Sequence, residues 1–202
     1  MKLLHLDSSI LGADSVSRNL SAEIVSHFKS KHPEITVIAR DLASDPALHL
    51  SGTHLAIMHG VEINDDIINA DIAKGNAYLE ELFDADVLVI GTPMYNLSIP
   101  TSLKAWIDRI AIAGKTFQYT ATGPEGLLKN KKAIIASARG GVYSAGSPAA
   151  AIEHQECYLV GLLGFLGVTD VTIVRAEGLA FGPDVKAAAL KQASVQIASL
   201  EA

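Results

Sequence analysis

Asp86-Val87-Leu88-Val89-Ile90-Gly91, followed by Thr92-Pro93-Met94-Tyr95-Asn96-Leu97-Ser98-Ile99-Pro100, is the stretch on which the fold turns. Its first half is a short, unbroken apolar run rich in branched residues, the pattern of a strand covered on both faces. Two prolines in its second half stiffen the chain and break regular structure. From Ser102 to Ala113, Leu103, Trp106, Ile107 and Ile110 then fall at i, i+3, i+4 and i+7, with Pro100 near the start and Gly114 past the end. That spacing makes one apolar helical stripe with ordinary start and stop signals.

Four more short apolar runs read as strands: Lys2 to Leu6, Ile35 to Ala39, Ala133 to Ala136 and Val171 to Val174. Helical stretches lie between them at Ser17 to Lys31, Ile67 to Phe83, Ala149 to Leu166 and Asp184 to Leu200. Alternating strands and helices along one chain predict an α/β fold, a doubly wound five-stranded parallel sheet of order 2-1-3-4-5 with helices on both faces. The 202 residues, 49% hydrophobic, suit a single domain over 1–202 with a sizeable core. Leu42 to Asn64 and Gly114 to Asn130 are longer than ordinary connections and suit substrate contacts, a partner chain or a plain surface excursion.

Composition narrows the function classes. A formal charge of −6 with scattered Lys and Arg argues against nucleic acid or a membrane surface as partner. The single cysteine, Cys157, has no internal disulfide partner and reads as a small core residue. The apolar start is too short for a signal peptide, and Tyr158 to Val168 is too short for a bilayer span; it reads as buried helix or interface. A cytoplasmic location is the expectation. His49, His54 and His59 recur at a spacing that spreads them around a helix, so no metal site is expected. Asp65-Asp66 and Glu80-Glu81 read as solvated helix faces.

In an open parallel sheet the ligand lies beyond the carboxyl ends of the strands, where strand order reverses. Three loops follow strands one, three and four. The first, Asp7 to Arg18, is rich in hydroxyls, with Ser9, Ser15 and Ser17 and the amides around Val16, and runs straight into a helix. Such a loop suits a phosphate, and equally suits plain helix capping by Ser15 or Ser17. Neither G-x-G-x-x-G nor G-x-x-x-x-G-K-[ST] is present, and Arg18 is the one local cation. The second loop, Pro93, Met94, Tyr95, Asn96 and Leu97, suits a flat wall against a planar ring, or a rigid turn with a buried tyrosine. The third, Ala138, Arg139, Gly140 and Gly141, offers backbone donors to the polar edge of such a ring or to a developing anion.

Together with Leu103-Lys104-Ala105-Trp106-Ile107-Asp108, Gly123-Pro124-Glu125-Gly126-Leu127 and Gly164-Phe165-Leu166-Gly167-Val168, these loops resemble the FMN-dependent NADH azoreductase and quinone reductase family, flavodoxin-like in fold, over nearly the whole chain. The resemblance implies a homodimer with FMN at each of two sites. It further implies hydride uptake from NADH or NADPH and reduction of quinones or azo compounds in two alternating steps. By matching position, Ser9 and Ser15 to Ser17 hold the phosphate, while Met94 to Leu97 and Ala138 to Gly141 hold the ribityl chain and ring. Tyr119 and Phe165 line the substrate cavity or simply pack, and Tyr143 is a candidate proton donor. Members of the family often carry Phe at the position of Leu97 and Ser at that of Ala138.

Because a flavin carries the hydride chemistry itself, no acid/base pair is required. Amides near Gly140 and Gly141, helped by Arg139, are the expected support for the reduced ring. An electron carrier that binds FMN without oxidising NADH is the alternative of another class. A hydrolase is disfavoured because no G-x-S-x-G sits at a strand-to-helix turn.

Overall fold

The computed structural model describes residues 1–201. Five parallel strands form the central sheet: β1 (Lys2–Asp7), β2 (Thr36–Asp41), β3 (Val87–Pro93), β6 (Lys132–Ala138) and β7 (Asp170–Ala176), in the order β2-β1-β3-β6-β7. Counted among themselves these are 2-1-3-4-5, the order expected. All seven residues of β3 are buried, as its unbroken apolar run requires.

Side-chain alternation along the strands divides the core in two. Leu4, Leu6, Leu88, Ile90, Ala133 and Ile135 pack on one side with α3 (Asp66–Asp84), α4 (Thr101–Ile110) and α5 (Glu156–Leu166). Leu3, Val87, Val89, Ile134 and Ala136 pack with α1 (Val16–Lys31) and α6 (Pro183–Ala198). Period-two alternation in strands paired in this register places neighbouring residues on opposite faces.

Departures from the sequence reading are local. Helix α4 stops at Ile110, short of Ala113, because Thr116 Oγ1 donates to the Ile110 carbonyl at 2.7 Å and accepts the Ile112 N–H at 3.0 Å. The stretch expected as one helix from Ala149 is a single 3₁₀ turn, Ala150–Ile152, and then α5. Glu153 makes the break: its carboxylate accepts the N–H groups of Gln155, Glu156 and Cys157 at 2.7 to 3.0 Å and caps the new helix.

Both long connections carry structure. Gly114 to Asn130 contains an antiparallel hairpin, β4 (Phe117–Thr120) and β5 (Gly123–Gly126). It presses so closely on the end of α5 that a Cβ on Gly126 would lie 2.1 Å from the Gly167 amide nitrogen. Leu42 to Asn64 contains α2 (Gly52–Met58). Buried His54 anchors it, with Nε2 3.2 Å from Asp71 Oδ2 and 3.1 Å from Arg109 Nη2, and Asp71 also accepts the Leu48 N–H at 2.8 Å. Among the described residues no helix is long and apolar enough to cross a membrane.

Candidate functional site

At the carboxyl ends of β1, β3 and β6 the three loops meet around a cleft of about 280 Å³. Ser9 and Ser15 to Ser17 line it from the first loop, Pro93 to Tyr95 from the second, and Ala138 to Gly140 from the third. Asn96, Leu97 and Gly141 lie outside its lining.

The first loop makes one 3₁₀ turn, Gly12–Asp14, before Ser15 caps α1 by accepting the Arg18 N–H at 3.3 Å. Capping and ligand binding are compatible here. The first-turn amides of Val16 and Ser17 have no carbonyl partner within the helix, and the buried hydroxyls of Ser15 and Ser17 stand 3.1 Å apart. Together they form a neutral donor set at the positive end of a helix dipole, which suits a phosphate.

Arg18 is not the free cation of this loop. Its guanidinium donates twice to the Ser9 carbonyl, at 3.0 and 2.7 Å, and pairs with Asp41 at 2.5 Å. The hydrogen bond with Asp41 raises the arginine and lowers the carboxylate relative to their ordinary values. Arg18 therefore shapes the loop from behind. The lysine that lines the cleft is Lys186, in the first turns of α6. Its signal in the sequence is topological: α6 follows the last parallel strand, so it begins on the same edge as the cleft.

Tyr95 to Ser98 is a tight turn closed by Tyr95 N–H to Ser98 carbonyl at 2.9 Å and the reverse bond at 3.1 Å. Both central residues are left-handed, Asn96 at φ 48° and Leu97 at φ 72°. Asn tolerates that region; Leu sits there under strain. The His154 N–H, donated to the Leu97 carbonyl at 3.1 Å, helps hold it. The Tyr95 hydroxyl reaches back to the first loop, accepting the Ile10 N–H at 3.2 Å.

Arg139 departs from the role expected of it. The residue lines the cleft, yet its guanidinium has no exposure and is ringed by Glu156, Glu153 and Glu177. A charge so neutralised is not available to a ring in the cleft. What faces the cleft there is small side chain and backbone, Ala138 and Gly140. Neither Gly140 nor Gly141 has a positive φ; a Cβ on Gly141 would instead crowd the Tyr143 ring at 3.0 Å.

The model of the flavodoxin-like fold matches residues 1–200. A protein of Bradyrhizobium sp. strain BTAi1 described as an FMN-dependent NADH:quinone oxidoreductase is 53% identical over 202 residues, all of both chains. The chain belongs to this family of flavodoxin-like oxidoreductases. Among solved structures, an azoreductase from Bacillus anthracis str. Sterne superposes with a TM-score of 0.85 at 31% identity, covering 99% of this chain and 100% of that one. An FMN-dependent NADH-azoreductase from Bacillus anthracis str. Ames Ancestor, solved with FMN, gives 0.85 at 27% identity over 98% of each chain.

Within the family's frame, the three candidate substrate residues lie outside the cleft lining. Tyr119 is 76% exposed on the hairpin, edge-on to Phe117, which packs against Phe165 with ring centroids 4.6 Å apart. Tyr143 is half-buried, and its N–H is held by Glu177 at 3.0 Å. Cys157 is exposed on α5, not a core residue: it follows the buried Glu156 in the first turn, on the outward side of the helix. Glu81 and Asp65 also do more than face solvent. Glu81 pairs with Arg40, and Asp65 caps α3 by accepting two N–H groups at 3.0 Å.

Proposed function

We propose that this chain binds FMN in the cleft and passes hydride from NADH or NADPH to a quinone or an azo compound, the two substrates using one open face of the ring in turn. One observation carries the reading. A single cleft joins buried serine hydroxyls and free helix amides on the α1 side to an apolar Pro93-Met94 wall and small Ala138-Gly140 backbone on the β3–β6 side. A ligand with an anionic tail and a flat ring needs that pairing of donors and wall. The position suits a doubly wound sheet, whose ligand lies at the reversal of strand order between β1 and β3.

FMN fits the residues present. Its phosphate would take the hydroxyls of Ser15 and Ser17 and the amides of the first turn, with Lys186 nearby. The ring would lie between Met94-Tyr95 and Ala138-Gly140, where backbone groups meet its polar edge. Bound there, the flavin supplies the hydride chemistry; the chain's part is to hold it, exclude water from one face and leave the other open. No separate nucleotide domain is needed, consistent with the lack of a glycine-rich fingerprint.

A homodimer completes the proposal. Ile10 at 73% exposure, Leu11 at 57% and Val160 at 40% on α5 present apolar surface that a second copy would cover. Initial rates with donor and acceptor both varied should give parallel double-reciprocal lines; intersecting lines would exclude alternating use of one face.

A further inference from the structure

Behind the third loop lies a buried polar cluster that the proposed chemistry does not use. Gln155 has no solvent exposure. Its Nε2 donates to the Thr92 carbonyl at 2.9 Å, and its Oε1 accepts from Arg139 Nε at 3.1 Å and Ser137 Oγ at 3.3 Å. Thr92 precedes the Pro93-Met94 wall, while Ser137 and Arg139 bracket Ala138. One amide thus grips both strands from which the ring side of the cleft is built.

Arg139 extends the grip. Its guanidinium is paired with Glu156 and lies 3.4 Å from Glu153 and 3.7 Å from Glu177. Each carboxylate is fastened to a different element. Glu153 caps α5, Glu156 takes Arg175 of β7 at 2.5 Å, and Glu177 accepts the Tyr143 and Ser144 N–H groups at 3.0 and 3.2 Å. The same segment ties down the second loop, through His154 N–H to the Leu97 carbonyl at 3.1 Å and Ser98 Oγ to the His154 carbonyl at 3.3 Å. A buried network that joins several elements through the Gln155 amide, the Arg139 Nε and the surrounding ion pairs favours one arrangement of the groups it joins.

We infer that Gln155, with Arg139, is a positioning residue for the cofactor: the amide clamped between Thr92 and Arg139 fixes the separation between the Met94 wall and the Ala138-Gly140 edge. The inference rests on the FMN reading. It also accounts for a fully buried arginine beside a binding cleft, since the guanidinium is the hub that orients the amide.

The test is titration of apoprotein with FMN, read by flavin fluorescence, together with visible circular dichroism of the bound ring. Gln155→Met removes both ends of the clamp. Gln155→Glu keeps an acceptor for Arg139 but sets a carboxylate against the Thr92 carbonyl. Both should raise the FMN Kd tenfold or more and change the sign or size of the flavin dichroism. Asp71→Asn, in the buried cluster under α2, is the control for general destabilisation: it should lower Tm with FMN affinity and dichroism unchanged. If the Gln155 variants do not fold, Ser137→Ala, which removes one bond to the same amide, decides the matter with an expected two- to fivefold rise in Kd. Gln155 variants that lose Tm as Asp71→Asn does, with Kd within twofold of wild type and identical dichroism, would reduce the cluster to a structural role and overturn the inference; for Ser137→Ala, unchanged Kd and dichroism would do the same. Wild-type protein that binds no FMN would overturn the underlying reading instead.

Discussion

The Tyr95 hydroxyl lies 3.3 Å from Ser9 Oγ and accepts the neighbouring Ile10 N–H, so a side chain from the loop after β3 fastens the loop after β1. The aromatic residue that reads in sequence as a wall is also a strut. Tyr95→Phe keeps the ring and removes the strut. With each hydrogen bond contributing about 1 kcal/mol net, the Tm of the apoprotein should fall by a few degrees and FMN should bind roughly five- to tenfold more weakly. Isothermal titration of the apoprotein checks this.

Ser15 and Ser17 separate capping from binding. Ser15 is the N-cap of α1, so Ser15→Ala should cost about 1 kcal/mol of stability as well as FMN affinity. Ser17→Ala removes a donor but no cap. It should weaken FMN by about 1 to 3 kcal/mol, roughly five- to 150-fold, while the urea midpoint of the apoprotein falls less than in Ser15→Ala, which also loses the cap. Unchanged FMN affinity in both variants would place the phosphate elsewhere.

Lys186 supplies charge that the first loop lacks, because Arg18 is consumed by Asp41 and the Ser9 carbonyl. Lys186→Ala should weaken FMN a few-fold at low ionic strength. The difference should shrink as salt is added, since an exposed charge is screened. FMN affinity measured at several salt concentrations reads this directly.

Gly91 is needed for space beneath the cleft. A Cβ there would fall 2.4 Å from Asp7 Oδ1 and 2.9 Å from Ser21 Oγ. These two atoms are hydrogen-bonded at 2.7 Å and join β1 to α1. Gly91→Ala should therefore destabilise by about 1 to 3 kcal/mol, measured by urea unfolding, and displace the Ser15–Ser17 turn with it.

Acid should loosen the Arg139 cluster. Burial pushes Glu156 upward, but Arg175, Ser137 and Arg139 outweigh it and leave the carboxyl below its ordinary 4.5. Burial likewise acts against Glu177, and Ser144, the Tyr143 N–H and the two arginines again prevail. Since both folded-state values are depressed, the stability these groups contribute is complete above about 4.5 and is lost as pH falls through the folded values. Urea midpoints measured downward from pH 5 should fall, and Glu156→Gln should flatten that fall while lowering stability at neutral pH.

What a sequence reveals about a residue depends on where that residue's neighbours lie. The five strands were visible because burial on both faces demands unbroken apolar runs such as Val87 to Ile90. The three loops were visible because parallel topology gathers everything that follows a strand at one edge. Helix α2 and the β4–β5 hairpin were not, because they are short and held by distant partners, His54 by Asp71 and Arg109 and Gly126 by Gly167. The partners of Arg139 are hidden in sequence for a related reason. A charge beside a Gly-Gly pair looks like a ligand contact until Glu153, Glu156 and Glu177, from other elements, are seen around it. The break before α5 had a local signal in Glu153, since a carboxylate that caps the following amides marks a helix start.

Hydride transfer to a bound flavin is tested by loading the protein with FMN, removing oxygen and mixing it with NADH while following absorbance near the flavin's visible maximum. Bleaching at a rate that saturates with NADH, reversed on adding a quinone, is the expected result. Protein that cannot be loaded with FMN, or bound flavin that stays yellow under NADH, would contradict the account.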